Sequence, residues 1–111
     1  MFSKTLISNL FLQTLIFPCA VLATDIPNDR QQELLHLIKH DCGSCHGMTL
    51  KGGLGTTLTS EKLQGKSPEA LSSIIMNGVK GTPMPPWKGI LDKQEVTWMV
   101  NQLKTGILES N

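Results

Sequence analysis

The sequence predicts a small all-α domain, and three observations lead to that fold class. Apolar side chains recur at helical spacing in three segments of the chain. Residues that favour helix ends border each segment, and no strand-rich pattern is visible between them. The chain has 111 residues, which is room for one small domain. We therefore expect three main helices, supplemented by short helical turns in the loops.

The first main helix is predicted to begin near Asn28. Asn28 can cap the helix, and Gln31 three residues later can complete a capping box. Leu34, Leu35 and Ile38 then form an apolar face. His36 and His40 are four residues apart on the same helix; we interpret them as exposed polar residues rather than as a pair of metal ligands.

The second and last helices carry clearer signals at their ends. Ser67 is a predicted N-terminal cap of the second helix, and Gly78 is expected to end it. Asp92 and Glu95 predict a capping box at the start of the last helix, and Gly106 lies where its C-terminal cap belongs. A short helix is also predicted over residues 60–64.

The first helix leads into the motif Cys42-Gly43-Ser44-Cys45-His46, which is typical of covalent haem attachment. On one helical turn Cys42 and Cys45 point the same way, so both thiols can add to the two vinyl groups of one haem. His46 then lies close enough to bind the iron as proximal ligand. A backbone carbonyl of the glycine-rich loop over residues 47–60 is expected to accept a hydrogen bond from the other nitrogen of His46.

Two other interpretations of the motif compete with haem attachment. A thioredoxin-like redox pair needs a surrounding βαβ unit, which the sequence does not contain. A zinc site could use Cys42, Cys45 and His46 with His36 or His40 as the fourth ligand, but structural zinc sites use paired ligand clusters and no second cluster follows. Haem is therefore the favoured cofactor, one per chain.

Met84 is the predicted second axial ligand of the iron. It lies in Gly81-Thr82-Pro83-Met84-Pro85-Pro86-Trp87, where three prolines forbid a regular helix and stiffen the loop. A methionine sulfur opposite a histidine raises the reduction potential of a haem. Trp87 is expected to cover the haem or Met84.

Residues 1–23 resemble a secretory signal, which leaves residues 24–111 as the mature domain. Lys4 precedes a mostly apolar run, and small residues precede the expected cleavage before Thr24. The run is too short and too interrupted for a membrane span. An uncleaved anchor is the alternative. We expect a periplasmic monomer without a stable membrane span.

Ten basic and nine acidic side chains give no basic excess that would suit nucleic acid.

These motifs resemble the class I cytochromes c with a single haem and, more narrowly, the small NirC-type cytochromes (cytochrome c-55X) of denitrifying bacteria. The resemblance implies the small cytochrome c fold around one covalent haem c. It also implies a non-enzymatic carrier that takes single electrons from a quinol-side or cytochrome donor to the haem c/haem d nitrite reductase. One alternative is a redox helper in maturation of the haem d-type cofactor. Another is an open-site haem enzyme or gas sensor in which Met84 is detached.

The sequence departs from the class I pattern at three kinds of position. Leu34 and Ile38 stand where a glycine and an aromatic residue are usual, and Gln102 stands where the last helix often has an aromatic residue. Because these residues differ from the usual ones, the close crossing of the first and last helices is not assured in this chain. Thr56 replaces a common proline after the loop glycine, although its carbonyl can still serve His46.

Overall fold

A computed structural model describes residues 25–109, and these residues are helical with no strand. The all-α prediction is confirmed, including three main helices and short helical turns. The main helices are α1 (Asn28–Leu37), α4 (Pro68–Asn77) and α5 (Lys93–Thr105). The short ones are α2 (Gly43–His46) and α3 (Ser60–Leu63), and a π-helical segment (Ile38–Cys42) joins α1 to α2.

Helix α1 begins at Asn28, the residue predicted as its cap, so the cap position falls one residue earlier. Pro27 occupies the N-cap position with φ −56° and ψ 148°, and its carbonyl accepts a hydrogen bond from the Gln31 N–H at 2.9 Å. The Gln31 side chain donates to the carbonyl of Ile26 at 2.8 Å instead of reaching back to Asn28. The predicted capping box at Asn28 is therefore wrong, because the fixed φ of proline already sets the start of the helix.

The predicted ends of α4 and α5 are confirmed. The Ser67 hydroxyl accepts a hydrogen bond from the Ala70 N–H at 3.1 Å. The Asp92 carboxylate accepts from the Glu95 N–H at 2.8 Å, and the Glu95 carboxylate accepts from the Asp92 N–H at 3.0 Å. Gly106 ends α5 in the left-handed conformation. A capping residue of this kind contributes about 1 kcal/mol to stability.

Helix α5 forms the centre of the core. It packs against α4 and α3 and also contacts α1. Leu34 and Ile38 replace the glycine and the aromatic residue that are usual where the first and last helices cross. Both are fully buried in the same cluster as the apolar face of α5. That face consists of Val96, Met99, Val100 and Leu103. Branched aliphatic side chains thus replace the usual small and aromatic pair, and the two helices still meet.

An ion pair fixes the start of α1 against the start of α5. The Arg30 guanidinium donates to the Glu95 carboxylate at 2.6 Å and to Glu33 at 2.7 Å. The hydrogen bond from Arg30 lowers the pKa of Glu95. Since Glu95 also belongs to the capping box, one carboxylate stabilises the helix end and joins two helices.

A lysine connects α5 to the end of α3. The Lys104 ammonium donates to the carbonyls of Leu63 at 2.8 Å and Lys66 at 2.6 Å. These carbonyls lie at and just beyond the C-terminus of a short helix, where they have no partner in the helix itself and where a cation is favoured. The contact holds α3 and the residues just after it against α5, and this segment directly follows the glycine-rich loop.

Two predictions concern the chain's start and the membrane. The predicted signal segment, residues 1–23, lies outside the described residues. Among residues 25–109, none of the helices has the length and apolar character needed to cross a bilayer.

Candidate haem site

The two motif cysteines lie where the π-helical segment passes into α2. Cys42 is the last residue of that segment and Cys45 lies in α2, and both are half-buried free thiols. The Ser44 hydroxyl between them donates to the carbonyl of Asp41 at 2.7 Å, which satisfies a backbone group at the helix junction. The motif is thus presented on a continuous helical path from α1, as the sequence predicted.

Burial, together with the nearby charge of Asp41, raises the pKa of the Cys42 thiol to about 11. The thiol is therefore protonated at neutral pH. A protonated thiol can add its sulfur to one carbon of a vinyl group and its hydrogen to the other, so this chemistry suits thioether formation.

The zinc interpretation finds no support in the geometry. Among the residues that the structure describes, no group of three or more His, Cys, Asp and Glu side chains could hold a metal ion. Structural zinc needs four protein ligands in tetrahedral arrangement. A porphyrin makes no such demand, because the protein supplies only the axial ligands.

His46 is the last residue of α2, and its ring is held by the following loop. The Nδ1 atom lies 2.6 Å from the carbonyl oxygen of Thr56, so Nδ1–H donates and the carbonyl accepts. This confirms the predicted carbonyl partner, despite the threonine at the usual proline position. Because Nδ1 carries the proton, Nε2 is the nitrogen that is free to bind iron.

The loop reaches His46 through close backbone packing. The Gly52 N–H donates to the carbonyl of His46 at 2.8 Å, and the Gly55 N–H donates to the carbonyl of Cys45 at 2.7 Å. A Cβ atom on Gly55 would lie 2.7 Å from both Cε1 and Nδ1 of His46. Gly55 is therefore required for its lack of a side chain, since any larger residue would displace the imidazole or the loop.

Met84 lies in the loop between α4 and α5, and its side chain is half-buried. Its carbonyl accepts a hydrogen bond from the Val79 N–H at 3.2 Å, and its N–H donates to the Thr82 hydroxyl at 3.3 Å. A cavity of about 520 Å³ lies beside this loop and is lined by residue 77 and residues 79–86, including Met84. The methionine is thus presented on an ordered loop, as its proline neighbours predicted.

Two contacts anchor the methionine loop to α4. The Trp87 N–H donates to the carbonyl of Ile75 at 3.1 Å, and the Trp87 side chain packs against the core. Gly78 has φ 68°, and a Cβ atom there would lie 2.7 Å from the Met84 carbonyl oxygen. The sequence identified Gly78 only as a helix end, but the structure gives it a second role in holding the backbone of Met84.

Gly55 and Gly78 are the residues whose positioning roles the sequence did not reveal. Both roles depend on the chain folding back, so that Gly55 packs against His46 and Gly78 packs against Met84. No periodic pattern in the sequence encodes these contacts. The sequence carries one signal for each glycine: Gly55 directly precedes Thr56, the predicted partner of His46, and Gly78 precedes the loop that carries Met84. The predicted ligands His46 and Met84 thus lie on separate segments, each fixed by backbone hydrogen bonds.

The chain belongs to the protein family described as cytochrome c oxidase, cbb3-type, subunit III, which matches residues 29–101. Cytochrome c55X of Pseudomonas aeruginosa is 46% identical over 95 residues, covering 83% of this chain and 80% of that protein. Cytochrome c55X of Stutzerimonas stutzeri is 44% identical over 92 residues, with the same coverage of both chains. A solved structure of a c-type cytochrome NirC is 46% identical with a TM-score of 0.72, covering 75% of this chain and 98% of that chain.

These comparisons confirm the predicted resemblance and the fold. The chain is a c-type cytochrome related to NirC and cytochrome c55X. Membership of a cytochrome c family implies that it binds haem c and takes part in electron transfer.

Proposed function

We propose that this protein is a periplasmic carrier of single electrons with one covalently attached haem, and that it serves the haem c/haem d nitrite reductase of denitrification. The observation that carries the proposal is the His46 imidazole at the end of the Cys-x-x-Cys helix, with its Nδ1 proton held by Thr56 at 2.6 Å. When bound, haem c supplies an iron that gains and loses one electron.

Cys42 and Cys45 hold the cofactor through thioether bonds. Their spacing places both sulfurs on one side of the helical turn, and both are free, half-buried thiols in the polypeptide. A covalent link of this kind also supplies apolar contacts to a short chain that has only a small core of its own.

His46 and Met84 are the two axial ligands. The Thr56 carbonyl orients the imidazole and makes it a better electron donor to the iron. Met84 supplies a soft sulfur from a stiff loop, so the sulfur stays in place in both oxidation states. With His46 and Met84 both holding the iron, small molecules would be excluded from the metal and electron transfer would be outer-sphere.

Spectroscopy of the oxidised holoprotein tests the ligand assignment. We expect a charge-transfer band from the methionine sulfur to ferric iron, and no spectral change on addition of cyanide or imidazole at concentrations that saturate open haem sites. Absence of that band together with tight binding of added ligands would instead indicate the open-site enzyme or gas sensor.

The nitrite reductase assignment and its donor side require a kinetic test. The relationship to NirC and cytochrome c55X supports a place in denitrification. Reduced holoprotein mixed with purified reductase should be oxidised rapidly, and a quinol-oxidising complex or another cytochrome should re-reduce it. If deletion of the gene leaves the reductase without its haem d-type cofactor, the protein is a maturation helper. A complete cofactor with slow reduction supports the carrier.

Export is the remaining part of the proposal. Residues 1–23 are proposed as a cleaved signal, so the periplasmic form should begin at Thr24. Fractionation of cells and N-terminal sequencing of the pigmented protein test this directly. Recovery of the pigment in the membrane fraction with residues 1–23 intact would show an anchor instead.

A further inference from the structure

The outward face of the first helix carries two histidines whose rings are in contact. His36 lies in α1 and His40 lies in the π-helical segment that follows it. Their ring centroids are 4.1 Å apart, with an angle of 37° between the ring planes. Both side chains are exposed, whereas Leu34 and Ile38 on the opposite face are buried.

The nitrogens of these two rings are available to a ligand. Within residues 25–109 neither the His36 ring nor the His40 ring hydrogen-bonds to a protein group, in contrast to the His46 ring, whose Nδ1 is held by Thr56. The chain contains three histidines, and the third is His46. In the holoprotein His36 and His40 are therefore the imidazoles not committed to haem.

The contact between the two rings revises the interpretation of His36 and His40 as exposed polar residues only. From this geometry we propose that they form a two-histidine surface site for a divalent transition metal such as Cu²⁺, Ni²⁺ or Zn²⁺. Two histidines four residues apart on a helix can bind one metal ion from the same face. With metal–nitrogen bonds of about 2.0–2.1 Å, two adjacent imidazole ligands have ring centroids roughly 4.5–5 Å apart. The observed centroid separation of 4.1 Å is close to this range.

The donor set selects the class of metal. Imidazole suits copper, nickel and zinc, and among these the affinity is expected to be highest for Cu²⁺. Calcium and magnesium prefer oxygen ligands and are disfavoured. Since the site supplies two protein ligands, water fills the other coordination positions. The site is independent of the haem assignment, because neither His36 nor His40 is a predicted haem ligand.

The test uses the oxidised holoprotein and a variant of identical composition. Exchanging two neighbouring side chains, Gln32→His with His36→Gln, keeps three histidines but separates the pair by eight residues, which is about 12 Å along a helix. Gln32 is exposed, so the exchange leaves the core unchanged. The single variant His40→Gln provides a second comparison, and the haem absorption spectrum verifies that each variant is folded.

Calorimetric titration with Zn²⁺ should show one site per chain in the native protein. Affinity should fall roughly a hundredfold in the exchange variant and in His40→Gln, because the second ligand no longer binds at high effective concentration. With Cu²⁺, electron paramagnetic resonance should show hyperfine coupling to two imidazole nitrogens in the native protein and to one in the variants. Equal Zn²⁺ affinity in all three proteins, or the same Cu²⁺ spectrum, would overturn the proposal and leave adventitious binding only.

Discussion

Substitution of Gly55 by alanine should raise the reduction potential by loosening the proximal histidine. The new Cβ atom would lie 2.7 Å from Nδ1 of His46, whereas ordinary contacts begin at 3.4 Å. The ring or the loop must therefore move by about 0.7 Å. Because Thr56 adjoins Gly55, movement of the ring away from the loop lengthens the 2.6 Å bond to the Thr56 carbonyl. Its new length, about 3.3 Å, lies beyond the usual range.

The size of the effect follows from the value of that hydrogen bond. The potential changes only by the difference in the strength of this bond between the ferric and ferrous states. Since such a bond has a net worth of about 1 kcal/mol, which corresponds to roughly 40 mV in a one-electron couple, the rise should not exceed about 40 mV. A weaker bond makes the imidazole a poorer donor, so ferric iron loses more stabilisation than ferrous iron and the potential rises.

The assay is a spectroelectrochemical titration of the native and variant holoproteins. Gly65→Ala is the matched control, since a Cβ atom there has no heavy atom within 4 Å. The control should keep the native potential. A potential unchanged to within a few millivolts in Gly55→Ala, with the haem spectrum intact, would refute the proposed role of the Thr56 carbonyl.

Three further predictions concern the ligands, the attachment and the response to acid. Met84→Ala should lower the reduction potential and allow cyanide to bind, which a redox titration and a ligand titration would detect; an unchanged potential argues against Met84 as a ligand. Cys42→Ala combined with Cys45→Ala should yield no covalent pigment on a haem-stained gel, and retained covalent pigment contradicts the attachment site. Arg30 lowers the pKa of Glu95, so the ion pair contributes stability above the ordinary pKa of glutamate, and this contribution is lost as the pH falls through the lowered value. Glu95→Gln should therefore reduce the loss of stability seen in denaturant unfolding between neutral and acidic pH, and an identical pH dependence would contradict this reasoning.

Local signals in the sequence were sufficient for the helix ends at which one side chain bonds to a nearby N–H. The Asp92–Glu95 capping box forms as predicted because both partners are three residues apart on one helix. The same pattern failed at Asn28, where Pro27 determines the start of the helix. The π-helical segment was also missed, because nothing in the residues 38–42 distinguishes a wide helical turn from an ordinary one.

The candidate site also has features that the sequence predicts and features that it does not. Cys42, Cys45 and His46 could be predicted as haem-binding residues, because the Cys-x-x-Cys-His spacing is itself what haem attachment requires. The Thr56 carbonyl could be anticipated, because a histidine ligand needs a partner for its second nitrogen. The constraints on Gly55 and Gly78 were not predictable, since they arise from backbone packing between segments that meet only in the folded protein.

A similar limit applies to the loop after His46. The sequence predicted an irregular segment there, and its glycines gave no indication that Leu50 is buried in the core. The Leu50 carbonyl accepts a hydrogen bond from the Leu58 N–H at 2.8 Å, which closes the loop on itself. An apolar anchor inside a glycine-rich loop lacks the periodicity by which buried residues of helices are recognised.

The haem content of the exported protein after acid–acetone extraction tests the central claim most directly. Acid–acetone removes haem that is held only by its axial ligands and leaves haem that is bound through thioethers. We predict one haem per polypeptide retained in the protein, with an intact mass equal to residues 24–111 plus one haem. A colourless exported protein, or extraction of all pigment into the acetone, would contradict covalent attachment at Cys42 and Cys45.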